Sequence, residues 1–132
     1  RLAGADHLHA SGLGSKFYET DDEVAANVQS LLEPLGDTLG PVPTLSSGQN
    51  VTTAAPTYAA VRSTDLLMLA GGGVAAHPDG PAAGVRSLRD AWTAAIKGVP
   101  LQRAAELAAD TGDPALLHAV QKFADRKSQG DH

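Results

Sequence analysis

The chain has 132 residues, of which 42% are apolar and 19% charged, with a formal net charge of −5 and no cysteine. That composition suits one modest globular core, excludes disulfide and thiol chemistry, and offers no basic footprint for nucleic acid or an anionic membrane. The longest apolar-plus-glycine run, residues 66–76, is shorter than the roughly 20 residues of a membrane span, so the expectation is a cytoplasmic protein that binds neither membrane nor nucleic acid.

The first element is carried by Gly4-Ala5-Asp6-His7-Leu8-His9, which reads as a short strand ending in two histidines. It starts after a lead of only Arg1-Leu2-Ala3, without methionine, as if the chain were cut inside a domain. Strand side chains alternate between faces, so His7 and His9 share one face while Asp6 and Leu8 share the other. The loop that follows, Ala10-Ser11-Gly12-Leu13-Gly14-Ser15-Lys16, is punctuated by glycine and carries one lysine. Thr20-Asp21-Asp22-Glu23 is a capping box with acids at the positive end of a helix dipole. Val24, Val28, Leu31, Leu32 and Leu35 recur at helical spacing, and Pro34 predicts an end near Glu33.

Val42–Ser46 is the second strand, with Pro43 near its start, and Ser46-Ser47-Gly48-Gln49-Asn50 forms the next loop. A short helix is predicted from Pro56, in its favoured first turn, to Arg62. Leu66–Ala70 is a continuous apolar run, as in a strand covered on both faces. It breaks into a Gly71-Gly72-Gly73 loop and then His77-Pro78, which shapes a turn. Pro81 opens a long helix with Val85, Leu88, Trp92, Ala95 and Ile96 on one stripe, and Lys97-Gly98 gives its stop signal. Helices over 101–109 and 114–125 follow, the second capped by Asp113, and a polar tail ends the chain.

Strands alternating with helices make this an α/β fold with a parallel sheet. Three units are too few to close an eight-stranded barrel. If the first strand belongs to such a barrel, the face shared by His7 and His9 looks inward, and Lys16 lies on a loop at the catalytic rim. Gly71-Gly72-Gly73 and Ser46-Ser47-Gly48, at successive strand ends, would let backbone N–H groups approach an anion such as phosphate; plain turns use the same residues. The His-x-His pair suits substrate oxygens or phosphate, a metal, or a structural hydrogen bond. No second cluster of ligand-type residues lies near it, which disfavours the metal. Lys16 suits a carboxylate or a developing oxyanion, and equally a solvated surface.

Taken together, Gly4-Ala5-Asp6-His7-Leu8-His9, the loop ending in Lys16, Pro43-Thr44-Leu45-Ser46-Ser47-Gly48 and Leu69-Ala70-Gly71-Gly72-Gly73-Val74-Ala75-Ala76-His77-Pro78 resemble the C-terminal part of the RuBisCO large-subunit superfamily. The resemblance implies the last three units of a TIM (β/α)8 barrel over residues 1–98, a helical extension over 99–126 and a disordered tail over 127–132. It implies that His9 contacts substrate, that Ser46 bonds a substrate hydroxyl, that the amides of Gly48, Gly71 and Gly72 hold a phosphate, and that His7 supports them. Lys16 falls on the mobile-loop lysine that orients carbon dioxide in the carboxylases.

Ser11-Gly12-Leu13-Gly14-Ser15-Lys16 replaces their Gly-Thr-Val-Val-Gly-Lys, and Ser46-Ser47-Gly48 replaces their Ser-Gly-Gly. In both, the chain is more similar to the form IV, RuBisCO-like proteins, especially those acting on 3-oxo-isoapionate 4-phosphate. The implied activity is a magnesium-dependent carboxy-lyase acting through an enediolate on a phosphorylated 3-oxo sugar acid. Carboxylation of ribulose bisphosphate and sugar-phosphate enolisation or isomerisation are the alternatives within the family. A His-x-His metallohydrolase and a non-catalytic phosphate-binding remnant are the alternatives outside it. The family's Mg2+ is held by a carbamylated lysine and two acids on an earlier strand, so no metal ligand is expected in these residues. The resemblance further implies a site shared between subunits of a homodimer or higher homo-oligomer that binds the phosphorylated sugar or sugar-acid substrate, and the chain alone is expected to be inactive.

Overall fold

The computed structural model describes residues 3–14, 19–37 and 39–128. Its elements are β1 (His7–Ser11), α1 (Asp21–Leu32), β2 (Val42–Ser46), α2 (Val51–Val61), β3 (Leu67–Met68), α3 (Gly71–Ala75), α4 (Pro81–Lys97), α5 (Leu101–Asp110) and α6 (Ala115–Ser128). The strands form one parallel sheet in the order β1-β2-β3, with His9 opposite Thr44, Ser11 opposite Ser46 and Leu45 opposite Met68.

The alternation of the strands divides the sheet into two chemically different faces. Pro43 and Leu45 are buried on one, where Leu45 and Ala10 meet Leu13, Val24, Val28 and Val61. This cluster seats α1 and α2 on the sheet. The opposite face carries His7, His9, Thr44 and Ser46, so the polar residues point away from the apolar seat.

Local signals explain most of the boundaries. Thr20 caps α1 reciprocally: its hydroxyl accepts from the Glu23 N–H at 3.3 Å, and Glu23 Oε2 accepts from the Thr20 N–H at 2.8 Å. Gly98 ends α4 in the left-handed region at φ 68°. Asp113 starts α6 by accepting from the Ala115 N–H at 3.1 Å, and its other oxygen binds Arg86 Nε of α4 at 3.1 Å.

Four expectations need correction. The second helix begins at Val51, not Pro56, because Asn50 is its cap: the Asn50 side chain accepts from Thr52 N–H, and Thr53 Oγ1 accepts from Asn50 N–H. Pro56 therefore sits inside the helix, exposed, where its missing N–H leaves one carbonyl of the preceding turn to solvent. The third strand, expected over Leu66–Ala70, is only Leu67–Met68 long among the described residues, where it pairs with β2.

Third, Gly71-Gly72-Gly73 is the first turn of α3 rather than a loop. Finally, the buried stripe of α4 is Ala83, Gly84, Ser87, Ala91 and Ala94, while Val85 and Ile96 are half-exposed. Small residues win that face because neighbouring backbone comes close; a Cβ on Gly84 would lie 2.4 Å from the Val74 carbonyl oxygen. Leu88 and Trp92 do pack, against a second core of Val51, Ala54, Ala91, Ala105, Leu116, Ala119 and Phe123.

That second core joins α2, α4, α5 and α6. His77 reinforces it. The ring is 4% exposed, Nδ1 accepts from the Asp79 N–H at 3.0 Å, and Nε2 donates to the Ala115 carbonyl at 2.8 Å. His77 thus shapes the expected turn and fastens it to the start of α6. That helix continues to Ser128, past the expected end at residue 125 and into the tail expected over 127–132, of which 129–132 lie outside the described residues.

Candidate functional site at the strand ends

The C-terminal ends of the three strands converge on one edge of the sheet, the placement expected of a parallel α/β site. His9 Nε2 and Ser46 Oγ are 2.5 Å apart across β1 and β2. The register explains the pairing, since His9 lies opposite Thr44 and Ser46 is two residues further along the same face. His7 shares that face one pleat earlier and is exposed. Among the described residues no group of three or more His, Cys, Asp or Glu can hold a metal ion. The two histidines therefore have no third ligand there, and the described chain does not fit a Mg2+ or Zn2+ centre of its own.

Beyond Ser46 the chain turns through two successive left-handed residues, Ser47 at φ 70° and Gly48 at φ 69°. This turn and the start of α3 border a cleft of about 250 Å³ lined by Ser47, Gly48, Gln49, Asn50, Leu69, the three glycines 71–73 and Phe123. Three residues assigned from sequence to anion binding, Gly48, Gly71 and Gly72, thus share one cavity. A Cβ on any of them would meet nothing within 4 Å, whereas a Cβ on Gly73 would lie 2.4 Å from the Gln49 carbonyl oxygen. Gly73 is needed for packing; Gly48, Gly71 and Gly72 leave bare backbone facing open space. The N–H groups of residues 71–73 also precede the first intrahelical bond of α3, from Val74 to Ala70, so they have no carbonyl within the helix.

Lys16 lies outside the described residues, but the chain on either side of it is fixed. Gly12 N–H donates to the Ser46 carbonyl at 2.9 Å, Leu13 is buried in the core under the sheet, and Gly14 N–H donates to Asp21 Oδ1 at 2.7 Å. Gly12 and Gly14 thereby tie the start of the loop after β1 to the end of β2 and to the first turn of α1.

Three site residues carry no mark in the sequence reading. Gln49, read as loop, is buried, and its Nε2 donates to the Ser47 and Leu13 carbonyls at 2.7 and 3.2 Å. Asn50 Nδ2 donates to the Gly48 carbonyl at 3.0 Å while its oxygen caps α2; the Asn-x-x-Thr spacing was the available signal. Phe123 comes from α6, fifty residues or more from every loop it lines, and no local pattern announces such a contact.

Residues 1–123 match the model of the ribulose bisphosphate carboxylase large chain, catalytic domain. The chain belongs to the RuBisCO large-chain family. It is 46% identical to a 3-oxo-isoapionate-4-phosphate transcarboxylase/hydrolase of Xanthobacter autotrophicus, covering 91% of this chain and 28% of that protein. It is 39% identical to a 3-oxo-isoapionate-4-phosphate decarboxylase of Rhizobium etli, covering 96% of this chain and 30% of that protein. Its fold is similar to the crystal structure of a rubisco-like protein from Burkholderia fungorum, with a TM-score of 0.83 and 45% identity over 91% of this chain and 29% of that one. The chain thus spans less than a third of the length of these RuBisCO relatives. The three-stranded parallel sheet with its helices corresponds to the C-terminal part of the RuBisCO-like barrel. No helix among the described residues is long and apolar enough to cross a membrane.

Proposed function

We propose that the protein carrying this chain is a RuBisCO-like carboxy-lyase that decarboxylates a phosphorylated 3-oxo sugar acid. The observation that carries the proposal is one cleft at the strand ends in which Gly48, Gly71 and Gly72 present unobstructed backbone, next in sequence to the hydrogen-bonded His9–Ser46 pair. An anion is held well by such amides. With a phosphate there, Ser46 and His9 would bind the oxygens of the attached carbon chain, and His7 would support them from the same face.

Lys16, on the loop fixed at Gly12 and Gly14, would hold the substrate carboxylate and favour the oxyanion that develops as it leaves. The bond from the carboxylate to its carbon breaks, its electron pair passes towards the 3-oxo group to give an enediolate, and carbon dioxide departs. A proton then returns to carbon. The Mg2+ implied by the family would be held by residues outside this chain, and a homodimer would complete the site. The names of the Rhizobium and Xanthobacter relatives support the substrate class. The Xanthobacter name also includes group transfer and hydrolysis, so the fate of the carboxylate is the point to measure.

The test is carbon dioxide release from 3-oxo-isoapionate 4-phosphate by the full-length protein and by its Lys16→Met variant. The expected result is turnover that the variant loses, with inorganic phosphate bound within about threefold of wild type. Undiminished turnover in Lys16→Met refutes the role of the lysine. Phosphate binding without turnover by the wild type would make the protein a non-catalytic binder instead.

A further inference from the structure

Gln49 stands where all three strand-end loops meet, and nothing in the proposed chemistry uses it. It is 2% exposed. Its side-chain nitrogen faces two acceptors, the Ser47 carbonyl of its own loop and the Leu13 carbonyl of the loop after β1. Two carbonyls at one end of the amide fix its orientation, because a carboxamide oxygen cannot donate to either. The cost of that orientation is visible: Oε1 is buried with no hydrogen-bond partner among the described residues. Its main-chain carbonyl, in turn, packs against Gly73 so closely that a Cβ there would lie 2.4 Å away. On the other side, a Cβ on Gly12 would lie 1.9 Å from Gln49 Nε2 and 2.6 Å from the Ser46 carbonyl oxygen. Glycine at positions 12 and 73 is what admits the glutamine between the loops.

We infer that Gln49 is a positioning residue, whose amide ties the loop after β1, at Leu13, to the left-handed turn at Ser47–Gly48 and so holds that turn at the wall of the cleft. A buried polar side chain with one unpaired atom calls for an explanation in what its other atom does. Here the other atom bridges the loop with the proposed carboxylate-binding lysine to the loop with the proposed phosphate-binding amide. The inference rests on the functional reading above for the identity of the two ligand groups, but the tie itself can be tested without them.

The test uses the full-length protein with Gln49→Met, which keeps the length and removes the donor, and Gln49→Glu, which keeps the shape and sets a carboxylate against two carbonyls. Amide hydrogen exchange is followed at Gly12 and Gly14, with the interior amides of α4 as the internal reference for global folding. Both variants are expected to raise exchange at Gly12 and Gly14 at least about tenfold while α4 stays unchanged. In the decarboxylation assay kcat should fall about tenfold or more with KM moving less than about threefold, the pattern of a misplaced catalytic group rather than weakened ground-state binding. Unchanged exchange in Gln49→Met overturns the inference, and so does raised exchange with unaltered kcat. If Gln49→Glu fails to fold, Gln49→Met decides alone. If the wild-type protein shows no turnover, the functional reading fails, and the exchange comparison still decides whether Gln49 holds the loop.

Discussion

Replacing Ser47 by glycine should stabilise the chain, and replacing Gly48 by alanine should destabilise it. Both residues sit in the left-handed region, at φ 70° and 69°, where a side chain crowds its own backbone. For an L-residue that crowding costs roughly 1–2 kcal/mol. Glycine removes it but has about 0.5–1 kcal/mol more conformational freedom to lose on folding. Ser47→Gly should therefore gain about 0.5–1 kcal/mol, the difference of these two effects. Gly48→Ala runs the same difference in reverse, since a Cβ there meets nothing within 4 Å and adds no clash of its own.

Urea unfolding can be followed through Trp92, the single tryptophan of the chain, whose ring packs against the second core and whose Nε1 lies 3.3 Å from Met68 Sδ. With a slope of roughly 1–3 kcal/mol per molar urea, the two midpoints should move in opposite directions by about 0.2–1 M. A fall in midpoint for Ser47→Gly at unchanged slope would refute the reasoning. It would mean that the serine side chain contributes more to the turn than its backbone strain costs.

Two further outcomes follow from buried and capping groups. Thr57 of α2 is fully buried and its hydroxyl has no partner among the described residues; Thr57→Val removes that unpaired group at nearly constant volume and should stabilise by about 1–2 kcal/mol in the same urea assay. Thr20→Ala should cost about 1 kcal/mol at neutral pH through loss of the α1 cap. The Thr20 N–H, and then its hydroxyl, hold the Glu23 carboxyl below its ordinary range. A depressed carboxylate contributes above its unfolded value and stops contributing as pH falls through the folded one. The gap between wild type and Thr20→Ala should accordingly be full above about pH 5 and narrow as the pH is lowered through the carboxylate range.

Much of this architecture was legible because short signals act locally. Thr20 with Glu23, Lys97 with Gly98, and Asp113 each satisfy backbone groups within a turn or two, so sequence spacing alone places those helix ends. The shared face of His7 and His9 was legible from strand alternation; that Ser46 joins it follows from the register of β1 and β2. The missed features depend on distant partners. Val51-Thr52-Thr53 are β-branched and read poorly as helix, yet the Asn50 cap and the second core beneath Val51 and Ala54 hold them there. Leu66 to Ala70 reads as one continuous strand by composition, yet the chain enters α3 at Gly71 and the strand paired with β2 is Leu67–Met68. The apolar run from Val85 to Ile96 named the wrong stripe of α4 because the closest approach of backbone, at Gly84, selects small residues over large ones. Gln49 gave no signal because a buried clamp between two loops has no period and no fixed spacing to its acceptors.

Phe123 gives the helical end of the chain a second significance. Helix pairs appended after a catalytic barrel are readily regarded as replaceable padding. Here one aromatic ring of α6 belongs at once to the second core and to the wall of the cleft. A drift in the packing of α6 on α2 and α4 is therefore a change in the shape of the cleft wall. A substitution in this last helix can reshape the cleft while every loop residue that lines it stays the same.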